Sequence, residues 1–450
     1  MSLPTRRRVL RRATAAAAGL VAAPAGARDP GAATPPVDAR ALVGLREALD
    51  GSLVAPDDEA YALARRVFYT NPRTATAPRA IVRCATEDDV ARGIEFARRH
   101  RLEIAVRAGG HAHLAWSSSD GLVLDLSPLK RVVVDHERRV AHVGAGALGG
   151  EVARACAPFG LVPVLGQCPG VGATGVTLGG GLGWLSGLFG ASCDNLVAAR
   201  IVTADARLLE VDSDTAPELL WGLRGAGANF GVATTITLRL HPLGDVLGGD
   251  VHYSAAHARQ VVAGFGDLMA GCPDAFQATL NLTPGPRGLF VSFCHAGDAR
   301  EGERLLDALR QLAPPTREAV RRQPFADLAE KAAATNPGNT PAPVARAIET
   351  VYRERIDDDL IGIVVDRLAR AAPETVLGLS HFMHGAVCTV DPAATAFPHR
   401  QAHSVHLRLA TTWTDPAESA ARFAEGEEWL RLLRPARDER IYSNYQTYAA

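Results

Sequence analysis

Between Gly166 and Asn195 the chain strings glycines among Val, Leu, Trp and Phe. No other stretch limits the fold as strongly. Glycine at this density opposes a regular helix or strand, because each one has more backbone entropy to lose on folding. It does permit positive φ and close approach of the backbone to another body. Consecutive N–H groups in such turns form concavities that hold anions. A flexible linker would mix its glycines with serine and polar residues, so the apolar side chains here argue for a packed loop. The stretch reads as a backbone cradle around a large phosphate-bearing group, with Cys168 beside it.

The segment before it is organised towards a second glycine turn. Residues 40–53 have helical apolar spacing, and residues 78–82 read as a strand. Thr86 then caps a helix whose first turn holds Glu87, Asp88 and Asp89 against the helix dipole. That helix runs to about His100, and Ile104 to Arg107 form the next strand. The strand empties into Ala108, Gly109, Gly110, His111 and Ala112, a tight turn that carries a histidine.

Further strands are expected at 121–126, 132–134, 140–146, 196–203, 207–211 and 232–240, with helices at 151–159 and 217–223. Past Gly244 the texture changes. Strands at 251–253, 276–282, 288–293, 375–382 and 403–412 accompany helices at 299–312 and 358–371, and a last helix starts at Asp415. Residues 313–345 are rich in Pro and Ala and read as a loop with helical pieces. The whole is an α+β protein with a separate second domain.

The first residues read as an export signal. Arg6, Arg7 and Arg8 form a twin-arginine pattern, an Ala-rich run follows, and Ala25, Gly26 and Ala27 make a small-residue cleavage site. Residues 1–27 are therefore expected to engage the twin-arginine export machinery and to deliver a folded protein to the periplasm or the exterior. The competing reading is a solvated basic tail. A net charge of −1 gives no long-range attraction for nucleic acid or anionic membrane. Beyond the N-terminus no apolar run is long enough for a stable membrane anchor. Of 7 cysteines none forms a CxxC pair, and the odd number leaves at least one outside any disulfide. Cys168 is the candidate, and pairing among the others stays open. His399, His403 and His406 have ligand-like spacing but no acidic partner close by, so no metal is expected.

These motifs together resemble one family. Arg107 to His111 resembles the Arg-(Ser/Ala)-Gly-Gly-His loop of the vanillyl-alcohol-oxidase or PCMH-type FAD-binding domain. Gln167 to Gly172, Thr177 to Gly183 and Cys193 to Leu196 look like its berberine-bridge-enzyme-like branch. Leu223 to Val232 is similar to that branch's Arg-Gly-Gly-Gly-Gly-Asn-Phe-Gly segment, with Ala226 and Ala228 in place of glycines, and Gly170 stands where Thr is usual. Thr395 to Arg400, and Tyr442 with Asn444 and Tyr445, match patterns of its substrate domain.

The resemblance implies a two-subdomain PCMH-type FAD-binding domain over 40–243 and an α+β substrate domain with an antiparallel sheet over 244–435. Residues 436–450 would form a strand returning to the FAD domain. It implies FAD attached twice, through His111 and Cys168, both nucleophiles when deprotonated. Cofactor contacts would come from Arg107, Ala108, Gly109, Gly110, Ala112, Val171, Gly172, Gly175, Gly179, Gly180, Gly183, Val232 and Asn444. The implied reaction moves a hydride from a small-molecule C–H to the flavin, with O2 or another electron acceptor taking the electrons. Tyr445 and Tyr442 are the candidate bases, which requires a stabilised phenolate; the plainer alternative is two tyrosines alternating on a strand. The family usually continues past this point, so a C-terminal tail is expected to be missing. That leaves a non-catalytic flavin-binding protein as the competing reading.

Overall fold

The computed structural model describes residues 37–112, 116–227, 229–334, 345–380, 383–434 and residue 444. Tyr442, Tyr445 and residues 1–27 lie outside the described residues. Three sheets organise the described chain.

The first sheet contains β1 (Ser52–Val54), β2 (Ala80–Arg83), β3 (Ile104–Arg107) and β4 (Leu122–Asp125), in the order β1-β2-β4-β3. β4 pairs parallel with both β2 and β3. Parallel neighbours need a crossover, and helix Glu87–His100 supplies it. Its N-terminus is built as the sequence suggests. Thr86 accepts from the Asp89 N–H, and Asp89 closes the capping box. Asp89 also accepts from the N–H groups of Asp50 and Gly51, which fastens the entry to β1 onto this helix. The expected helix at 40–53 is thus a helix over Ala39–Ala48 followed by a strand, because Asp50 and Gly51 turn the chain.

The second sheet contains β5 (Val132–Asp135), β6 (Val140–Gly144), β7 (Leu161–Pro163), β8 (Leu196–Val202), β9 (Leu208–Val211) and β10 (Val232–Pro242). The order is β5-β6-β10-β8-β9, with β7 paired to β10 beyond it. The glycine-rich stretch lies between β7 and β8. Contrary to the density argument it holds short helices at Ala173–Leu178 and Ser186–Phe189, and a 3-10 turn at Ser192–Asn195. Tertiary packing outweighs propensity here: Ala173, Thr177 and Leu178 are buried.

The third sheet is seven-stranded and antiparallel: β11 (Val246–Tyr253), β12 (Phe276–Leu282), β13 (Leu289–His295), β14 (Pro315–Gln323), β15 (Ala345–Arg353), β16 (Val376–Ser380) and β17 (Val405–Trp413). Their order is β14-β11-β13-β12-β16-β17-β15. One face is apolar. Leu280, Leu282, Val291, Phe293, Leu377, Leu379, Leu407 and Leu409 pack there against helices Ala258–Ala270, Ala299–Leu312, Asp358–Leu368 and Ser419–Leu433.

Two features of this sheet depart from the sequence reading. Residues 315–323 form an edge strand where a loop was expected, and 345–353 form the opposite edge. The charges of β14 hide its pattern, and charged edges are how sheets avoid further pairing. Helix Ala258–Ala270 was unread because of Gly264 and Gly266. Both glycines let neighbours approach: a Cβ on Gly264 would lie 2.8 Å from Leu312 Cδ2, and one on Gly266 3.1 Å from Ile356 Cβ.

Candidate active site

The two glycine turns named from the sequence are packed against each other. A Cβ on Gly172 would lie 2.6 Å from Gly109 N and 3.4 Å from Ala108 Cβ. Gly109 occupies the turn after β3, and Gly172 precedes helix Ala173–Leu178. This contact holds the turn bearing His111 beside the loop bearing Cys168.

The 108–111 turn has the character of an anion cradle. The N–H groups of Ala108, Gly109, Gly110 and His111 donate to no acceptor among the described residues. Gly110 has φ +69°, a left-handed value that suits glycine. A cavity of about 320 Å³ opens on this turn, bordered also by Arg66, Phe68, Arg107 and Asp125. Arg107 itself pairs with Asp125 at 3.2 Å, across the register of β3 and β4, and both are buried.

The second glycine stretch works differently at most positions. Val171 N donates to Cys168 O, Gly180 N to Thr177 O, and Gly183 N to Ser186 Oγ. A Cβ on Gly183 would overlap the Leu165 carbonyl. These residues serve close packing, because their donors are used within the protein. Gly175 is the exception, with open space where a Cβ would stand. Thr174 Oγ1 is buried beside it with no hydrogen-bond partner. Val232 starts β10 and packs with Val202 against the core of the first sheet. Asn444 sits against Gly179 and donates from Nδ2 to Val176 O at 2.9 Å.

His111 stacks on Phe68 with ring centroids 4.0 Å apart, and Phe68 N donates to Gly110 O. Burial, helped by the charge of Arg346, lowers the imidazole to a pKa of about 4. The ring is therefore neutral at neutral pH and keeps a nucleophilic nitrogen. Ala112 follows it, half-buried. Cys168 is half-buried, and the neighbouring Gln167 exchanges hydrogen bonds with Thr279 of β12 at 3.1 and 3.3 Å. The other six cysteines are free thiols. Among the described residues no three or more of His, Cys, Asp and Glu cluster as metal ligands would. Instead His399 and His406 flank the Tyr352 ring at 5.0 and 4.9 Å.

The third sheet closes over this region with its polar face. Thr279 on β12 reaches the Cys168 loop, while Arg346 on β15 lies 4.8 Å over the Phe68 ring and donates to Phe68 O at 3.1 Å. Sequence reasoning missed Arg346 because it falls just past the expected loop at 313–345, where no strand was read. It missed Phe68 and Thr279 because single residues of a strand or loop carry no pattern of their own. The remaining motifs also meet in space. Arg400 embraces Asp194 with both ends of its guanidinium, at 2.8 and 2.6 Å. A Cβ on Gly225 would lie 2.6 Å from Phe397 Cα.

A family model described as FAD binding domain matches residues 78–212, which span both glycine turns. The chain is 28% identical over 409 residues to the uncharacterized FAD-linked oxidoreductase YgaK of Bacillus subtilis, covering 88% of each chain. The FAD-binding domain and this relative mark the chain as an oxidoreductase that uses FAD. Over 196 residues this oxidoreductase is 36% identical to (R)-6-hydroxynicotine oxidase of Paenarthrobacter nicotinovorans, covering 43% of this chain and 42% of that one. Its fold matches the BBE-like 1 protein of Physcomitrella patens with a TM-score of 0.81 at 22% identity, over 90% and 91% of the two chains. The oxidoreductase thus has the expected PCMH-type architecture, in which an FAD-binding part is followed by a largely antiparallel sheet.

Proposed function

We propose that this oxidoreductase is an exported oxidase that carries FAD bound twice, through a ring nitrogen of His111 and through Cys168 Sγ. The observation that carries the reading is the pairing of Gly109 with Gly172, which sets a neutral imidazole and a half-buried thiol on two adjoining turns. The residues fit the cofactor: four successive N–H groups at 108–111 are open to its phosphates, and Thr174 Oγ1 is an orphaned buried hydroxyl nearby. When bound, FAD supplies a ring that accepts a hydride from a substrate C–H and releases the electrons to dioxygen as hydrogen peroxide.

The chain's own tasks are orientation and exclusion of water. The stacked pair Phe68 and His111 fixes one end of the slot, and Gln167 with Thr279 fixes the other. The polar face of the third sheet covers the space between and orients an alcohol, sugar or secondary-metabolite substrate. Tyr445, or Tyr442, takes the substrate's hydroxyl proton, provided neighbours lower its pKa from the usual ~10.

The test is a peroxidase-coupled assay of the purified yellow protein in air against panels of alcohols, sugars and secondary amines. Peroxide release stoichiometric with substrate supports an oxidase. Bleaching of the flavin by a substrate without peroxide assigns a dehydrogenase with another acceptor, and no bleaching by any donor contradicts the reading. N-terminal sequencing of protein recovered outside the cytoplasm tests export, with a new terminus expected after Ala27.

A further inference from the structure

Arg408 stands out among the guanidiniums withdrawn from water. Arg107, Arg353 and Arg400 are each buried against a carboxylate. Arg408 is half-buried, and its guanidinium makes no hydrogen bond or ion pair among the described residues. Withdrawing a charge without a partner is costly, so a protein that keeps such a group gains something by its use elsewhere.

Its place in the sheet says where that use lies. On β17, Leu407 and Leu409 point into the apolar core, so Arg408 lies on the opposite, polar face. β16 and β17 run between β12 and β15. β12 contacts the Cys168 loop through Thr279, and β15 contacts the Phe68–His111 pair through Arg346. Arg408 therefore faces the space spanned by the two candidate flavin attachment points.

The surroundings prepare it for an oxyanion. Directly across the ladder stands Gly378, where a Cβ would lie 3.4 Å from Arg408 Nη2 and 3.7 Å from Nε. The missing side chain lets the guanidinium lie along β16 with its edge free. Asn281, paired with Gly378 on the far side, has its Oδ1 near the same spot, and among the described residues its side chain makes one long hydrogen bond, from Nδ2 to Thr279 O at 3.4 Å. Ser380, one face-step along β16, is 1% exposed, and its Oγ has no hydrogen-bond partner. A guanidinium fork, an under-used amide and an orphaned buried hydroxyl make a receptor for a planar monoanion.

We infer that Arg408 binds a carboxylate of the substrate, with Ser380 and Asn281 completing the contact. The inference rests on the flavin slot proposed above. It narrows the substrate class to acids that carry their oxidisable C–H within a few bonds of the carboxylate. Phosphate is less suited, because one guanidinium balances one unit of charge.

Calorimetric titration of the purified protein with matched acids and amides tests it: mandelate against mandelamide, lactate against lactamide, and benzoate against benzamide. At least one acid should bind more tightly than its amide. Arg408→Gln should weaken that acid by about 10- to 100-fold, as for loss of a hydrogen bond to a charged group, and leave the amide unchanged. Arg408→Lys, which keeps the charge but loses the fork, should retain part of the preference. Flavin content and thermal midpoint, read on the same samples, should be unaltered in both variants. Absence of any acid preference overturns the inference, as does a preference that survives Arg408→Gln. Loss of flavin from Arg408→Gln also overturns it, because the guanidinium would then hold the cofactor. A colourless wild-type protein counts against the flavin reading, and the acid-amide comparison is read independently of it.

Discussion

Gly109 and Gly172 press their backbones together so closely that a methyl group on either would enter the other: a Cβ on Gly109 would sit 2.8 Å from Gly172 Cα. Two motifs 63 residues apart in the chain (172 − 109) thus become one surface. Gly109→Ala or Gly172→Ala should force the turns apart. Overpacking of this kind costs about 1–3 kcal/mol, so the thermal midpoint should fall. Flavin retention should fall with it, whereas Gly244→Ala, in open space, should change neither.

Asp194 and Arg400 form a two-pronged ion pair whose side chains are only 8% and 6% exposed. Arg400 also donates to Val387 O and to Thr395 Oγ1, and Asp194 accepts from Ala191 N. Arg400→Ala should destabilise by about 3–5 kcal/mol, because it leaves a buried carboxylate without its partner. The double change Asp194→Asn with Arg400→Met should cost less than the sum of the singles. Chemical denaturation of the four proteins measures this coupling.

Asn444 occupies the space that a side chain at Gly179 would fill, with its Cγ 2.7 Å from the position of a Cβ. Gly179→Ala should expel it and break its bond to Val176 O. The effect of Gly179→Ala should therefore overlap with that of Asn444→Ala, each costing about 1 kcal/mol or more. Additive effects in a double-mutant cycle would contradict this packing.

How much of this was legible beforehand follows from where the information sits. Thr86 with its three acidic followers declared a helix start, since capping is a local interaction. The glycine turns were legible because glycine alone tolerates such contacts. Their meeting was not, because nothing local in either motif records which distant backbone it touches. Arg346, Thr279 and Arg408 were invisible for the same reason. Each acts through a face of the sheet that exists only once seven strands are paired. β14 was missed because its charges break the alternation that marks a half-buried strand.

Glu349 sets a pH dependence on stability that is separate from the flavin. It is 5% exposed, lies beside Gly426, and has one carboxylate oxygen with no partner. Burial raises its pKa from 4.5 to about 7, against the opposing pull of Arg73. The folded state then holds a proton that the unfolded state has lost between these values. Stability should decline as pH rises from about 4.5 to 7, by at most roughly 3 kcal/mol. Glu349→Gln should remove this slope and be the more stable protein at pH 8. Thermal midpoints of both proteins at pH 5 and pH 8 would show it.

The central claim is that His111 and Cys168 both bond to one flavin, and intact-mass measurement after acid denaturation tests it most directly. The wild-type chain should stay yellow and carry the added mass of one FAD. His111→Ala and Cys168→Ala should each retain some flavin mass, and the double variant should retain none. A wild-type chain that releases all its flavin on denaturation, and weighs no more than its sequence, would contradict the account.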